Sequence, residues 1–367
     1  PNSAHQAYAL VAFTAGVASL FAWSFGLIIG AIVARSIASE CSKKPFKIHY
    51  PLVVASAYSG FAIWHMGYSS SSALAVATPG HFLEDKVGVI PVTETILTTT
   101  NIILALSLLL PAVSLGLIGL VDDIRNLSPW PRFVAQSVAG LLTAILLIST
   151  DTVGTPTGSM LVDALITIIW IVGVTNSINF FDNLDGGASG TVALTSLALL
   201  ILALQGEQYL IAAMAAVLAG ATLGFLIWNK PPARIYMGDA GALFLGLLIA
   251  SLVVRLDTNP INNFATFSIP ILLLAVPIMD TAVAVLSRIK RRISPFTGGR
   301  DHLSHRLMRS GLSKRAAVLT LWAMSAYFGA LSIILSNTPF HLEGIISLIC
   351  AVSWLLQFFW FLSRPSV

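Results

Sequence analysis

Apolar runs of about 20 residues, the length a helix needs to cross a bilayer, recur eleven times along this chain. They fall at about 8–34, 51–77, 98–121, 132–150, 161–180, 189–206, 208–228, 240–256, 266–288, 315–336 and 341–363. The division between the sixth and seventh, at Gln205–Gln208, rests on only a few polar residues. Composition agrees: 56% of the 367 residues are hydrophobic and 10% charged, far below the roughly 25% charged residues of a soluble domain. The expectation is an all-α, polytopic membrane helix bundle forming a single domain over 1–367.

Positive charge orients such a bundle. With the loop at 36–50 (Lys43, Lys44, Lys47) placed in the cytoplasm and the spans alternating, only Lys86 and Arg255 of the 20 Lys and Arg residues fall outside. That puts the N-terminus outside and the C-terminus, with Arg364, inside. Cytoplasmic loops then lie at about 36–50, 122–131, 181–188, 229–239 and 289–314. The net charge of +4 and pI near 9.2 belong to these loops and do not indicate nucleic acid. Cys41 sits in a basic loop and Cys350 in an apolar run, so no structural disulfide is expected. The first run has no basic leader and reads as a retained helix, and no lipidation motif is evident.

Nearly all residues capable of chemistry collect in four inner segments. Asp122 and Asp123 end the third span as adjacent carboxylates, which repel and call for a cation, although a solvated loop is an open alternative. Asn179, Asp182, Asn183 and Asp185 end the fifth span just before Gly186 and Gly187, a pair suited to a left-handed cap. Asp239 opens the eighth span, where a plain N-cap competes with a cation and phosphate site. The loop 289–314 carries seven Lys and Arg residues, with Arg288 and Arg315 at its edges, around a short amphipathic segment with His302, His305, Arg306 and Arg309 on one face. Those arginines favour anion binding over a histidine metal site, and a basic helix resting on lipid headgroups is the alternative. Asp280 lies deeper, within the ninth span, and is expected to face a polar cavity or a cation; His65 lies within the second.

Four ordered stretches, LVDDIRNLSP, NSINFFDNLDGG, NKPPARIYMGDAGALFLG and GGRDHLSHRLMRSGLS, resemble the signature of the polyprenyl-phosphate N-acetylhexosamine-1-phosphate transferases. That family shares a superfamily with phospho-N-acetylmuramoyl-pentapeptide transferase. The resemblance implies transfer of a sugar 1-phosphate from a UDP-N-acetylhexosamine to polyprenyl phosphate with release of UMP, at the cytoplasmic face of the plasma (inner) membrane. It implies Mg²⁺, with Mn²⁺ as a substitute, held by Asp239 and Asn179. It places Asp122 and Asp123 near the lipid phosphate, and Asp182, Asn183 and Asp185 around the nucleotide. His302, His305 and Arg300 would contact phosphates, with Asp122, Asp123, Asp239 and His302 as the catalytic group. A homodimer is among the assemblies such a protein could form.

Two departures stand out. The first inner loop, SIASECSKKPFKIHYPLVV, lacks the family's paired glycines. The sequence His-Leu-Ser-His replaces consecutive histidines, which points away from the peptide-bearing donor toward UDP-GlcNAc. The pentapeptide transferase reaction is the nearest alternative; a secondary transporter, which would hold substrate near the bilayer midplane, is one of another class.

Overall fold

A computed structural model describes residues 1, 3–61, 76–81, 84–91, 105–125, 127–149, 157–257, 263–295 and 298–365, and among these there is helix but no strand. The chain divides into two compact units, 1–102 and 103–367. Eight helices are long and apolar enough to cross a membrane, or nine if one bent pair is a single span. The protein is a multi-pass membrane protein.

In the first unit, α1 (Ala4–Phe21), α2 (Trp23–Cys41) and α3 (Tyr50–Phe61) precede a short turn, α4 (Glu84–Val87). The single apolar run expected at 8–34 is broken at Ala22, whose φ of −155° and ψ of 137° are extended. A Cβ on Gly26 would meet Ser19, and one on Gly30 would meet Ala15 and Ala57. This pairing makes α1 and α2 an antiparallel hairpin. Lys44 Nζ accordingly donates to the Pro1 carbonyl, so residue 1 lies beside the 42–49 loop and not across a bilayer from it, as the expected orientation required. Most of the second span, with His65, lies outside the described residues.

In the second unit a π-helical turn (Ala105–Leu109) leads into α5 (Leu110–Arg125). It is followed by α6 (Pro129–Ser149), α7 (Met160–Phe181), α8 (Gly187–Gln205), α9 (Tyr209–Asn229) and α10 (Gly238–Val254). Then come α11 (Asn263–Leu273), α12 (Ala275–Lys290), the short α13 (Leu303–Arg309), α14 (Lys314–Ser336) and α15 (Phe340–Ser363). The uncertain division near Gln205 is real: Gly206–Gln208 separates α8 from α9. The ninth span is not one helix, because α11 and α12 meet at 78°. Pro277 has no N–H for the Leu273 carbonyl, which instead accepts from Thr195 Oγ1 at 2.9 Å. A neighbouring helix thus satisfies the backbone that the proline frees.

Because these helices alternate in direction, the ends of α5, α7, α9, α12 and α15 gather with the starts of α6, α8, α10 and α14. Hydrogen bonds knit that one end together. Asn229 Oδ1 accepts from the Gly186 amide and from Ser189 Oγ, and Trp322 Nε1 donates to Gly186 O. Gly186, at φ +73°, makes the left-handed turn between α7 and α8 that its position in the sequence implied.

Candidate active site

The site begins with a close approach of two backbones. A Cβ on Gly119 of α5 would lie 2.5 Å from the Asp239 carbonyl carbon and oxygen. Only glycine lets α5 come this near to α10. One turn on, the Asp123 carboxylate accepts the backbone amides of Asp239 at 3.0 Å and Ala240 at 3.1 Å. Asp123 therefore does for α10 what an N-cap side chain does for its own helix. Asp239 is not the cap, and its carboxylate is left to face the site.

That carboxylate is shared. Asn179 Nδ2 donates to Asp239 Oδ1 at 2.9 Å. Arg132 Nη1, from the first turn of α6, donates to Asp239 Oδ2 at 2.5 Å and to Asp122 Oδ2 at 2.6 Å. Asp122 Oδ1 accepts from the Leu127 amide at 2.6 Å. Residues from four helices thus meet in one hydrogen-bonded cluster, with Arg132 Nη1 bridging Asp122 and Asp239 and Asn179 on the far oxygen of Asp239. Asp182, just past the end of α7, forms no hydrogen bond to a described side chain. Burial, followed by the negative charges of Asp239, Asp123 and Asp185, pushes its pKa up to about 7. Asp185 is used structurally: its Oδ2 accepts the Ala233 amide at 3.0 Å and holds the loop after α9.

The basic loop docks beside this cluster through the same turn of α7. Ser304 Oγ donates to Asn183 Oδ1, and the His302 ring meets Phe180 edge-on at 6.4 Å between centroids. Asp280, in place of a cation, takes His302 Nδ1 at 2.7 Å and the Leu303 amide at 2.7 Å. Arg288 grips Asp301 through two bonds of 3.0 and 2.8 Å, and Arg291 adds a third of 2.7 Å. The Arg288 pairing outweighs burial and holds the Asp301 carboxyl below the usual carboxylate range.

Arg306 departs from the expected anion-binding face. It is 1% exposed, donates to the carbonyls of Asp301, Phe361 and Arg364, and closes the C-terminal end of α15. His305 is half-buried, and burial, reinforced by His302, Arg309 and Arg300, lowers its pKa. Arg300 is exposed and bonds to no described residue.

Among the described residues no three Asp, Glu, His or Cys side chains stand in a metal-holding group, so a cage made only of protein is not formed. The donor chemistry nonetheless fits a hard cation that keeps water and phosphate in its shell. Asp239 and Asp182 supply carboxylates, the Asn179 amide oxygen is uncommitted, and the charge balance among the acids calls for a positive partner. Arg132, Asp301 and the pairing of Asp280 were not picked out from the sequence, and Arg288 stood there only as one member of the basic cluster. Their signal is weak there, because an Arg at a helix start or an Asp in a span gains meaning only from its partner.

Residues 105–257 match glycosyl transferase family 4, and residues 1–129 match the short chain fatty acid transporter family. A phospho-N-acetylmuramoyl-pentapeptide-transferase of Heliobacterium modesticaldum is 33% identical over 252 residues, covering 61% of this chain and 74% of that protein. The chain belongs to glycosyl transferase family 4. A protein of Bacillus subtilis named a probable undecaprenyl-phosphate N-acetylglucosaminyl 1-phosphate transferase is 35% identical over 237 residues, 62% of this chain and 64% of that one. A decaprenyl-phosphate N-acetylglucosaminephosphotransferase of Mycolicibacterium smegmatis is 33% identical over 245 residues, 59% of this chain and 60% of that one. The chain therefore spans just under two thirds of these two relatives. The family-4 match contains three of the four motifs, and the histidine loop lies beyond it.

Proposed function

We propose that this protein transfers N-acetylglucosamine 1-phosphate from UDP-GlcNAc to a polyprenyl phosphate such as undecaprenyl phosphate, releasing UMP, at the cytoplasmic face of the plasma membrane. The observation that carries the reading is the convergence of Asp122, Asp239, Asn179 and Arg132 from four helices, at the bundle end that also holds the basic loop. Relatives named for this transfer support it.

The physical problem is the approach of two anions. An oxygen of the lipid phosphate attacks the sugar-bearing phosphorus; the bond from that phosphorus to the bridging oxygen breaks, and UMP carries the electron pair away. Mg²⁺, or Mn²⁺ in its place, would neutralise charge on the pyrophosphate when held by Asp239 and the Asn179 oxygen, with Asp182 adjacent. Arg132 screens Asp122 from Asp239. Arg300 and His305, both on the basic loop, would supply positive charge and donors to the nucleotide's phosphates. Both oxygens of Asp123 and both of Asp122 are occupied by hydrogen bonds, which favours direct attack by the lipid phosphate over a carboxylate base or nucleophile. With a second pKa near 6, a phosphate monoester is already mostly a dianion at neutral pH and needs no base.

The test is a panel of labelled donors. Purified protein with polyprenyl phosphate and Mg²⁺ is expected to place label from UDP-GlcNAc in lipid and to release UMP. Preference for UDP-N-acetylmuramoyl-pentapeptide would move the assignment to the peptidoglycan reaction. Movement of an intact solute across proteoliposomes, with no lipid-linked label, would favour the transporter reading raised by the match over residues 1–129.

A further inference from the structure

Asp280 is 0% exposed inside α12. On insertion scales a carboxylate at the centre of a span costs about 2.5–3.5 kcal/mol, so its presence calls for partners. It has two, and both belong to the loop: Oδ2 lies 2.7 Å from His302 Nδ1, and Oδ1 accepts the Leu303 amide at 2.7 Å. The other ring nitrogen, His302 Nε2, lies 3.2 Å from Arg288 Nη2. A guanidinium nitrogen is a donor only. Nε2 must therefore accept, and the ring hydrogen sits on Nδ1, donated to Asp280.

Asp280 and Arg288 face the His302 ring from α12, the ring of His305 lies 6.4 Å away on α13, and Phe180 closes it from α7. Asp301, beside it in sequence, is taken up by Arg288 and Arg291. A second ring proton would point at the Arg288 guanidinium. With 6% exposure and both nitrogens engaged, the ring has no N–H left to place on a phosphate.

We infer that His302 is a positioning residue, held by Asp280 as a neutral, Nδ1-protonated ring, which fixes the start of α13 and thereby aims His305 and Arg300 at the substrate phosphates. The inference rests on the transferase reading for what is aimed at; the locked ring itself does not.

Two measurements test it on the full chain in lipid nanodiscs. In the first, ¹⁵N NMR of histidine-labelled protein at neutral pH, assigned with His302→Asn, is expected to give the Nδ1–H tautomer for His302. In Asp280→Asn this signal is expected to move toward the other tautomer. An Nε2–H ring or an imidazolium in the wild type would overturn the proposal. In the second, His302→Asn keeps a donor where Nδ1–H stood, so kcat is expected to stay within about 10-fold of wild type while KM for the UDP-sugar rises. General acid–base groups contribute about 10²–10⁴-fold, so a fall in kcat of that size with KM unchanged would mark His302 as catalytic and sink the positioning role. If the wild type transfers no phosphosugar while its tautomer is as described, the functional reading fails and the locked ring stands.

Discussion

Asp239 occupies the position at which an acidic residue ordinarily caps or complements a helix start, yet Asp123 from another helix does the capping. The exchange leaves the Asp239 carboxylate free to pair with Arg132 and Asn179, while Asp182 bonds to no described side chain. With its pKa raised to about 7, Asp182 holds a proton in the folded protein over a range where the unfolded chain has already lost it. Folding stability from this group consequently falls as pH rises from about 4 toward 7. A bound cation reverses the preference, since it favours the charged form and expels the proton. Affinity for Mg²⁺, followed by calorimetry, is expected to rise with pH through 7 in the wild type and to lose most of that dependence in Asp182→Asn. A pH-independent wild-type affinity would show that Asp182 does not share the cation's field. The acids themselves were legible in the sequence because their residue types stood at helix ends in recognisable motifs. Arg132 was not: its role depends on the distance between two carboxylates contributed by residues 117 positions apart in the chain.

Helices bring these residues together only where contact between them is unusually close. Gly119→Ala would drive a methyl group into the Asp239 backbone, where no flexible side chain can yield. Overpacking of this kind costs about 1–3 kcal/mol, and here it also separates Asp123 from the amides that it caps. The expected result is a lower thermal midpoint together with a larger loss of transfer activity than stability alone explains; unchanged activity would mean that α5 and α10 do not need this contact. Arg306→Ala strands the carbonyls at the end of α15 together with that of Asp301. At about 1–3 kcal/mol for each unsatisfied buried group, a loss of several kcal/mol is expected in reversible unfolding of the protein in detergent. The sequence located most of the later elements to within a few residues because apolar length is a strong signal. It missed the fold-back at Ala22 and the bend at Leu274 because an apolar run carries no mark of its direction. Pro277 hinted at the second; nothing in Ala22 hinted at the first.

At the scale of the molecule, charge and hydropathy act together: the apolar runs commit the chain to the bilayer, and alternation returns each chemical segment to the same end of the second unit. That end holds acids and bases side by side, which suits the proposed joining of a water-soluble anion to one anchored in lipid. A long isoprenoid chain leaves the bilayer only at about 0.8 kcal/mol per buried CH₂, so the soluble reactant has to come to the membrane surface. The most direct test of this account is release of UMP from UDP-GlcNAc by the purified protein and by Asp239→Asn, measured with and without polyprenyl phosphate across a Mg²⁺ titration. The account predicts release only when lipid phosphate and Mg²⁺ are both present, and a loss of about 10²-fold or more in the variant. Undiminished Mg²⁺-dependent release by Asp239→Asn would contradict it.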